Sequence, residues 1–143
     1  MRRINIEKAT MRKLLMCIVI LLTVNSCDRV NENAAIDHIS RTWTVYKFEI
    51  DGYDQTPLFT SQFATYSLFC ERSQDYTESY IEFGVTPVTI NGIYIFSDGD
   101  DILTLSDEFQ SRVYNVLTLT NNEMTLEDRN ADNNEVYFLE AVL

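Results

Sequence analysis

The chain has a single histidine, no glycine-rich phosphate loop, few basic residues and no apolar run long enough to cross a bilayer. Each shortage narrows the function. A Ser-His-Asp site needs a histidine within reach of a nucleophile and an orienting carboxylate. His38 lies ahead of the strand-forming part of the chain, and no Gly-x-Ser-x-Gly turn occurs. No dinucleotide fingerprint or phosphate-cradling motif is present either. The longest apolar stretch, Leu14 to Leu22, is nine residues, whereas a membrane-spanning helix takes about 20.

That stretch follows Arg12-Lys13 and gives way to Thr23-Val24-Asn25-Ser26-Cys27. A basic start, an apolar run of about 7–15 residues and a small residue at the cut describe a secretory signal peptide. Val24-Asn25-Ser26-Cys27 resembles the lipobox of bacterial lipoproteins, although Asn25 is bulkier and more polar than usual there. The resemblance implies removal of residues 1–26, a lipid on Cys27, and a cell-envelope location, with the outer membrane favoured. Initiation at Met1 or at Met11 leads to the same product.

Five of the 11 basic residues and one of the 22 acidic ones lie in residues 1–26, leaving six against 21 and a net charge of −15. Such a surface repels nucleic acid and anionic lipid, which excludes both as partners held by charge. The acidic residues are scattered, as on a solvated face. With Cys17 in the leader and Cys27 lipidated, Cys70 has no partner, so no disulfide framework is available. In its apolar-rich segment Cys70 reads as a small buried hydrophobe.

Residues 27–33 are polar and aperiodic, a tether, and 34–143 make one domain. Ala34 to Ile39 has room for a turn or two of helix. From Arg41 onward aromatic and β-branched residues are dense and turn residues recur about every 10–15 positions. Strands are expected near 42–50, 61–71, 76–83, 87–97, 101–106, 111–119, 123–128 and 135–142. Asn121-Asn122 suits a type I′ turn and Gly99-Asp100 a type II′ turn. The first sets Leu119 opposite Met124 and Leu117 opposite Leu126; the second sets Phe96 opposite Leu103 and Tyr94 opposite Leu105. Each pairing collects apolar residues on one face, and a slip by one would expose them all. Tyr137, Leu139 and Ala141 supply the inward face of the last strand.

The fold class is therefore all-β: an eight-stranded antiparallel up-and-down meander, closed into a barrel that leaves no free edge. A two-sheet sandwich is the alternative. Three segments, Thr42-Trp43-Thr44-Val45, Gly92-Ile93-Tyr94-Ile95-Phe96 and Tyr114 to Thr120 leading into Met124-Thr125-Leu126, look like the lipocalin-like domain of bacterial lipoproteins over residues 40–142. Lipocalins usually carry Gly-x-Trp at the first strand, where this chain has Arg41-Thr42-Trp43. The resemblance makes Trp43 a structural residue closing one end.

The chemical inventory is short. Asp128, Asn130 and Asp132 match the first ligand spacings of a calcium loop, but Asn133 stands where glycine belongs and Leu139 where glutamate belongs. Asp98, Asp100 and Asp101 cluster at another turn, and turn chemistry accounts for Asp98 and Asp100. Glu78 and Glu82 share a strand face about 13 Å apart, beyond the separation of glycosidase carboxylates. No catalytic residue, metal ligand or cofactor is assigned. Tyr66, Tyr80, Tyr94, Phe96 and Tyr114 either line a cavity for a small apolar or aromatic ligand or fill the barrel. The expectation is a non-enzymatic, lipid-anchored binding protein. Its alternative is a solid barrel that meets an envelope protein through the loops Gly52–Ser61 and Arg72–Thr77.

Overall fold

The computed structural model describes residues 32–143, with side chains from Ala34 onward. Cys27 and the expected leader, residues 1–26, lie outside the described residues. The chain forms α1 (Glu32–Ile39), β1 (Thr42–Ile50), β2 (Tyr53–Asp54), α2 (Thr56–Gln62), β3 (Phe63–Cys70), β4 (Asp75–Glu82), β5 (Thr86–Ser97), β6 (Ile102–Ser106), β7 (Ser111–Leu119), β8 (Glu123–Asp128) and β9 (Glu135–Ala141). All pairings are antiparallel, and β9 returns to β1. Strands β1 and β3 to β9 thus form a closed eight-stranded barrel; β2 is a two-residue spur on β1.

One anticipated hairpin register occurs in full and the other in part. Phe96 pairs with Leu103 and Tyr94 with Leu105, but Gly99 and Asp100 both have positive φ, 68° and 75°. That is the type I′ signature rather than II′. Leu119 pairs with Met124, yet Leu126 faces Val116 and not Leu117. A bulge between Val116 and Thr118 turns Leu117 outward, where it is 54% exposed. Nor does the type I′ turn form at Asn121-Asn122, since neither residue has positive φ. Thr120 organises that turn instead: its Oγ1 accepts the N–H groups of Asn122 and Glu123 at 3.2 and 3.0 Å.

Two further bulges lie between Val45 and Lys47 and between Ala64 and Ser67. An extra residue reverses the inside-outside alternation of a strand. Val45 and Phe48 can therefore both face in, as can Phe63 and Tyr66. Thr65 takes a φ of 55° to make the second of these bulges, an uncommon conformation for a β-branched residue.

One end of the barrel is shut. Ile39 at the end of α1, Trp43, Cys70, Tyr94 and Met124 are at most 1% exposed there. The Trp43 Nε1–H donates to the Ile39 carbonyl at 2.8 Å, so the indole closes this end and also caps the helix. Asn121 latches α1 from the β7–β8 turn: its Oδ1 accepts from His38 Nδ1 at 2.8 Å and from Arg41 Nη2 at 3.1 Å. Arg72 adds an ion pair to Asp37 of α1.

At the other end β1 and β3 diverge, with paired residues only at Thr42–Phe69 and Trp43–Leu68. The helix α2 fills the opening. Its sequence Thr-Pro-Leu-Phe-Thr-Ser-Gln is too short to be stable alone. Pro57 suits the first turn, and Asp54 Oδ1 accepts from the Thr56 amide at 2.9 Å. Phe59, 5% exposed, fixes it against the rings of Phe48, Phe63 and Tyr66 at centroid distances of 5.5, 5.0 and 5.4 Å.

Candidate functional site

Behind α2, the lower half of the barrel is not filled. A cavity of about 230 Å³ occupies it, walled by side chains from all eight barrel strands, from α2 and from the end of the β6–β7 loop. Apolar walls come from Val45, Phe59, Leu68, Ile90, Leu126 and Leu139. Tyr66, Tyr80, Tyr114 and Tyr137 surround it with phenols. Tyr66 and Tyr80 lie nearly parallel, centroids 6.5 Å apart, and Tyr137 meets Tyr114 edge-on at 6.0 Å.

One charged pair crosses the interior. Glu78, 3% exposed, faces in between Tyr76 and Tyr80 on β4. Arg112 faces in from β7, where it pairs with Leu105. Its Nη2 donates to Glu78 Oε2 at 2.6 Å and its Nη1 to Oε1 at 3.2 Å, a two-pronged ion pair. Nη2 also reaches the Tyr76 hydroxyl at 3.4 Å. The Nε of Arg112 is buried and has no acceptor among the described residues.

Burial raises the pKa of every phenol around this pair. Tyr66 is held well above its usual value by desolvation and then by the Glu78 charge. Desolvation also leads for Tyr114 and Tyr137, so these groups stay protonated and can donate hydrogen bonds. Arg112 is held above its usual value: its burial opposes the charged form, but the Glu78 hydrogen bond and the charges around it outweigh that.

Of the five aromatic residues expected to contact a ligand, Tyr66, Tyr80 and Tyr114 line the cavity and Tyr94 and Phe96 do not. Tyr94 sits in the shut end, its hydroxyl donating to the Glu71 carbonyl at 2.6 Å, and Phe96 packs edge-on against it at 6.2 Å. Tyr137, Phe59, Phe63, Glu78 and Arg112 are additions. Glu78 was legible as a charge at an inward position of β4. Arg112 was legible from the short β6–β7 hairpin, which places it beside Leu105. Cys70 is buried under the shut end, its thiol pushed up to about 12 by desolvation.

The suspected cation loops are turn structures: Asp128 Oδ1 accepts the Asn130 amide at 2.7 Å. No cluster of three or more His, Cys, Asp or Glu side chains able to hold a metal occurs among the described residues. His38 is at the shut end, away from the cavity. The loops Gly52–Ser61 and Arg72–Thr77 lie at opposite ends of the barrel. The first holds the exposed Tyr53 and Leu58; with Phe83, Val85 and Phe109 from neighbouring loops they form an apolar rim around the cavity end. A second hollow of about 320 Å³ lies beside that rim, between β5 and residues 107–110, and shares Ile90 and Gln110 with the first. It contains no buried charged pair.

No protein-family model matches the chain, and no curated protein matches it in sequence. Among solved structures it is similar to an uncharacterized protein from Bacteroides eggerthii, at 12% identity and a TM-score of 0.54. The match covers 73% of this chain and 99% of that one. At that identity the likeness speaks for the barrel alone.

Proposed function

We propose that this protein is a lipid-anchored, non-enzymatic binding protein of a bacterial cell envelope, held on the outer membrane through Cys27. Its lipocalin-like barrel takes one small apolar or aromatic ligand into the open end. The observation that carries this reading is the aromatic-walled cavity of about 230 Å³. It lies below the roughly 300 Å³ where drug-sized pockets begin, and above the roughly 150 Å³ that admits benzene. A single ring with a short substituent fits. Glu78 is already saturated by Arg112 and no histidine is near, so the walls are built to hold rather than to transform.

The anchor suits this role. One acyl chain binds a membrane only reversibly, whereas several make release negligible. The chain enters the domain at α1, at the end opposite the cavity, so a tether there leaves the cavity end free.

The test is native mass spectrometry of the whole protein extracted from its own membranes. The expected spectrum carries acyl mass on Cys27 and a small retained molecule that disappears in Ile90→Trp, a substitution that fills the cavity. An unmodified Cys27 overturns the anchor. A bare barrel that also shows no saturable binding of indole or toluene overturns the carrier. The exposed rim of Tyr53, Leu58, Phe83, Val85 and Phe109 favours a second reading, a module that docks an envelope protein. Cross-linking in cells, lost when Phe83 and Phe109 become serine while ligand binding persists, would establish it.

A further inference from the structure

We infer that the cavity selects neutral ligands that carry a hydrogen-bond acceptor, such as a ketone, amide or ester oxygen, and discriminates against anions. The inference deepens the carrier reading and rests on it. Its basis is the state of Arg112, the only arginine on the cavity wall among the described residues. Both terminal nitrogens of Arg112 that face Glu78 are engaged, at 2.6 and 3.2 Å, by a carboxylate that is 3% exposed. The two charges cancel inside the lumen.

An anionic ligand then has two ways in, both unfavourable. It can sit beside Glu78 in surroundings where like charges repel strongly. Or it can draw Arg112 away, leaving a buried carboxylate with no partner. Asp128, also on the cavity wall, adds to the repulsion. A cationic ligand meets the converse difficulty at Arg112. A neutral oxygen meets neither, and the site has unused donors for it. Arg112 Nε is buried with no acceptor among the described residues, and the phenols of Tyr66, Tyr80 and Tyr114 border the same space. Leaving a buried donor unsatisfied is costly, so a ligand acceptor that reaches Nε gains what the protein alone does not supply.

Three probes of nearly equal size separate the possibilities: acetophenone, benzoate and benzylammonium. Calorimetric titration into the whole protein at pH 7, at low and high salt, removes the contribution of the acidic surface. Acetophenone is expected to bind at least about tenfold more tightly than either ion, which is about 1.4 kcal/mol, and the order should survive high salt. In Glu78→Gln the Arg112 charge is uncompensated, and benzoate should overtake acetophenone. Benzoate or benzylammonium binding as tightly as the ketone in the native protein overturns the inference and leaves the carrier intact. A folded Glu78→Gln that keeps the native order also overturns it. Failure of all three probes at millimolar concentration sinks the carrier reading and this inference with it. Should Glu78→Gln not fold, the native ratio decides alone.

Discussion

Replacing Arg112 with methionine isolates the energetic role of the pair across the lumen. The substitution keeps an unbranched apolar stem and removes both donors to Glu78, at 2.6 and 3.2 Å, together with the contact to the Tyr76 hydroxyl. Glu78 is 3% exposed, so water cannot replace the lost partner without entering the barrel. Breaking one side of a buried pair costs about 3–5 kcal/mol. Replacing both sides, Glu78→Met with Arg112→Met, removes the stranded charge and should be neutral or stabilising by about 1–4 kcal/mol. Urea unfolding followed through Trp43 reads this directly, because the lone tryptophan is fully buried. With a urea dependence of about 2 kcal/mol per molar, the single variant should lose roughly 2 M in midpoint and the double variant should recover it. An Arg112→Met midpoint within about 0.5 M of the native protein, or a double variant as weak as the two singles summed, would refute the reasoning.

Three other outcomes follow from the same geometry. A Cβ at Gly92 would lie 2.1 Å from the Ser106 carbonyl oxygen and 2.7 Å from the Tyr76 ring, so Gly92→Ala must shift backbone and should cost about 1–3 kcal/mol in urea unfolding; an unchanged midpoint would contradict the close approach. Burial holds the phenols of Tyr66, Tyr114 and Tyr137 above the usual 10.0. The unfolded chain therefore ionises first, and stability is full below about pH 10 and falls as pH rises further; a single reversible tyrosinate step near 10 at 295 nm, with Trp43 still buried, would be the opposing result. The Asp107 carboxylate accepts the amides of Phe109 and Gln110 at 2.8 and 3.0 Å, and the first of these bonds does most to lower its pKa below 3.8. Its support of the rim loop is present above that pH and lost as pH falls through the lowered value; Asp107→Asn should speed hydrogen exchange at both amides at neutral pH, and equal exchange would speak against the cap.

The strands were legible because dense aromatic and β-branched residues are bounded by turn residues, and seven of the eight expected spans end within one residue of the observed ones at both ends. Face assignments held where the ladder is regular, as at Tyr94–Leu105. They failed at Leu117 because a bulge is an insertion into a ladder, and nothing in Val116-Leu117-Thr118 marks which residue is extra. The helix α2 was missed for a related reason. Only Phe59 of its side chains is buried, so no apolar stripe announces it, and Pro57 after Asp54-x-Thr56 was the available sign. Half of the site was visible as aromatic residues at inward positions. The rest was hidden because alternation shows that Glu78 and Arg112 each face in, but not that strands three apart meet across the lumen.

Trp43, Ile39 and the latched helix α1 make the barrel a cup rather than a pipe. Whatever occupies it must leave by the way it came, so an incoming competitor cannot push an occupant through from behind. If the carrier proposal holds, exchange would wait on the departure of the first molecule, past the Phe59 side of α2. On the carrier reading, loosening the short helix would hasten both entry and exit, while every wall but Phe59 stays on the barrel strands and their loops.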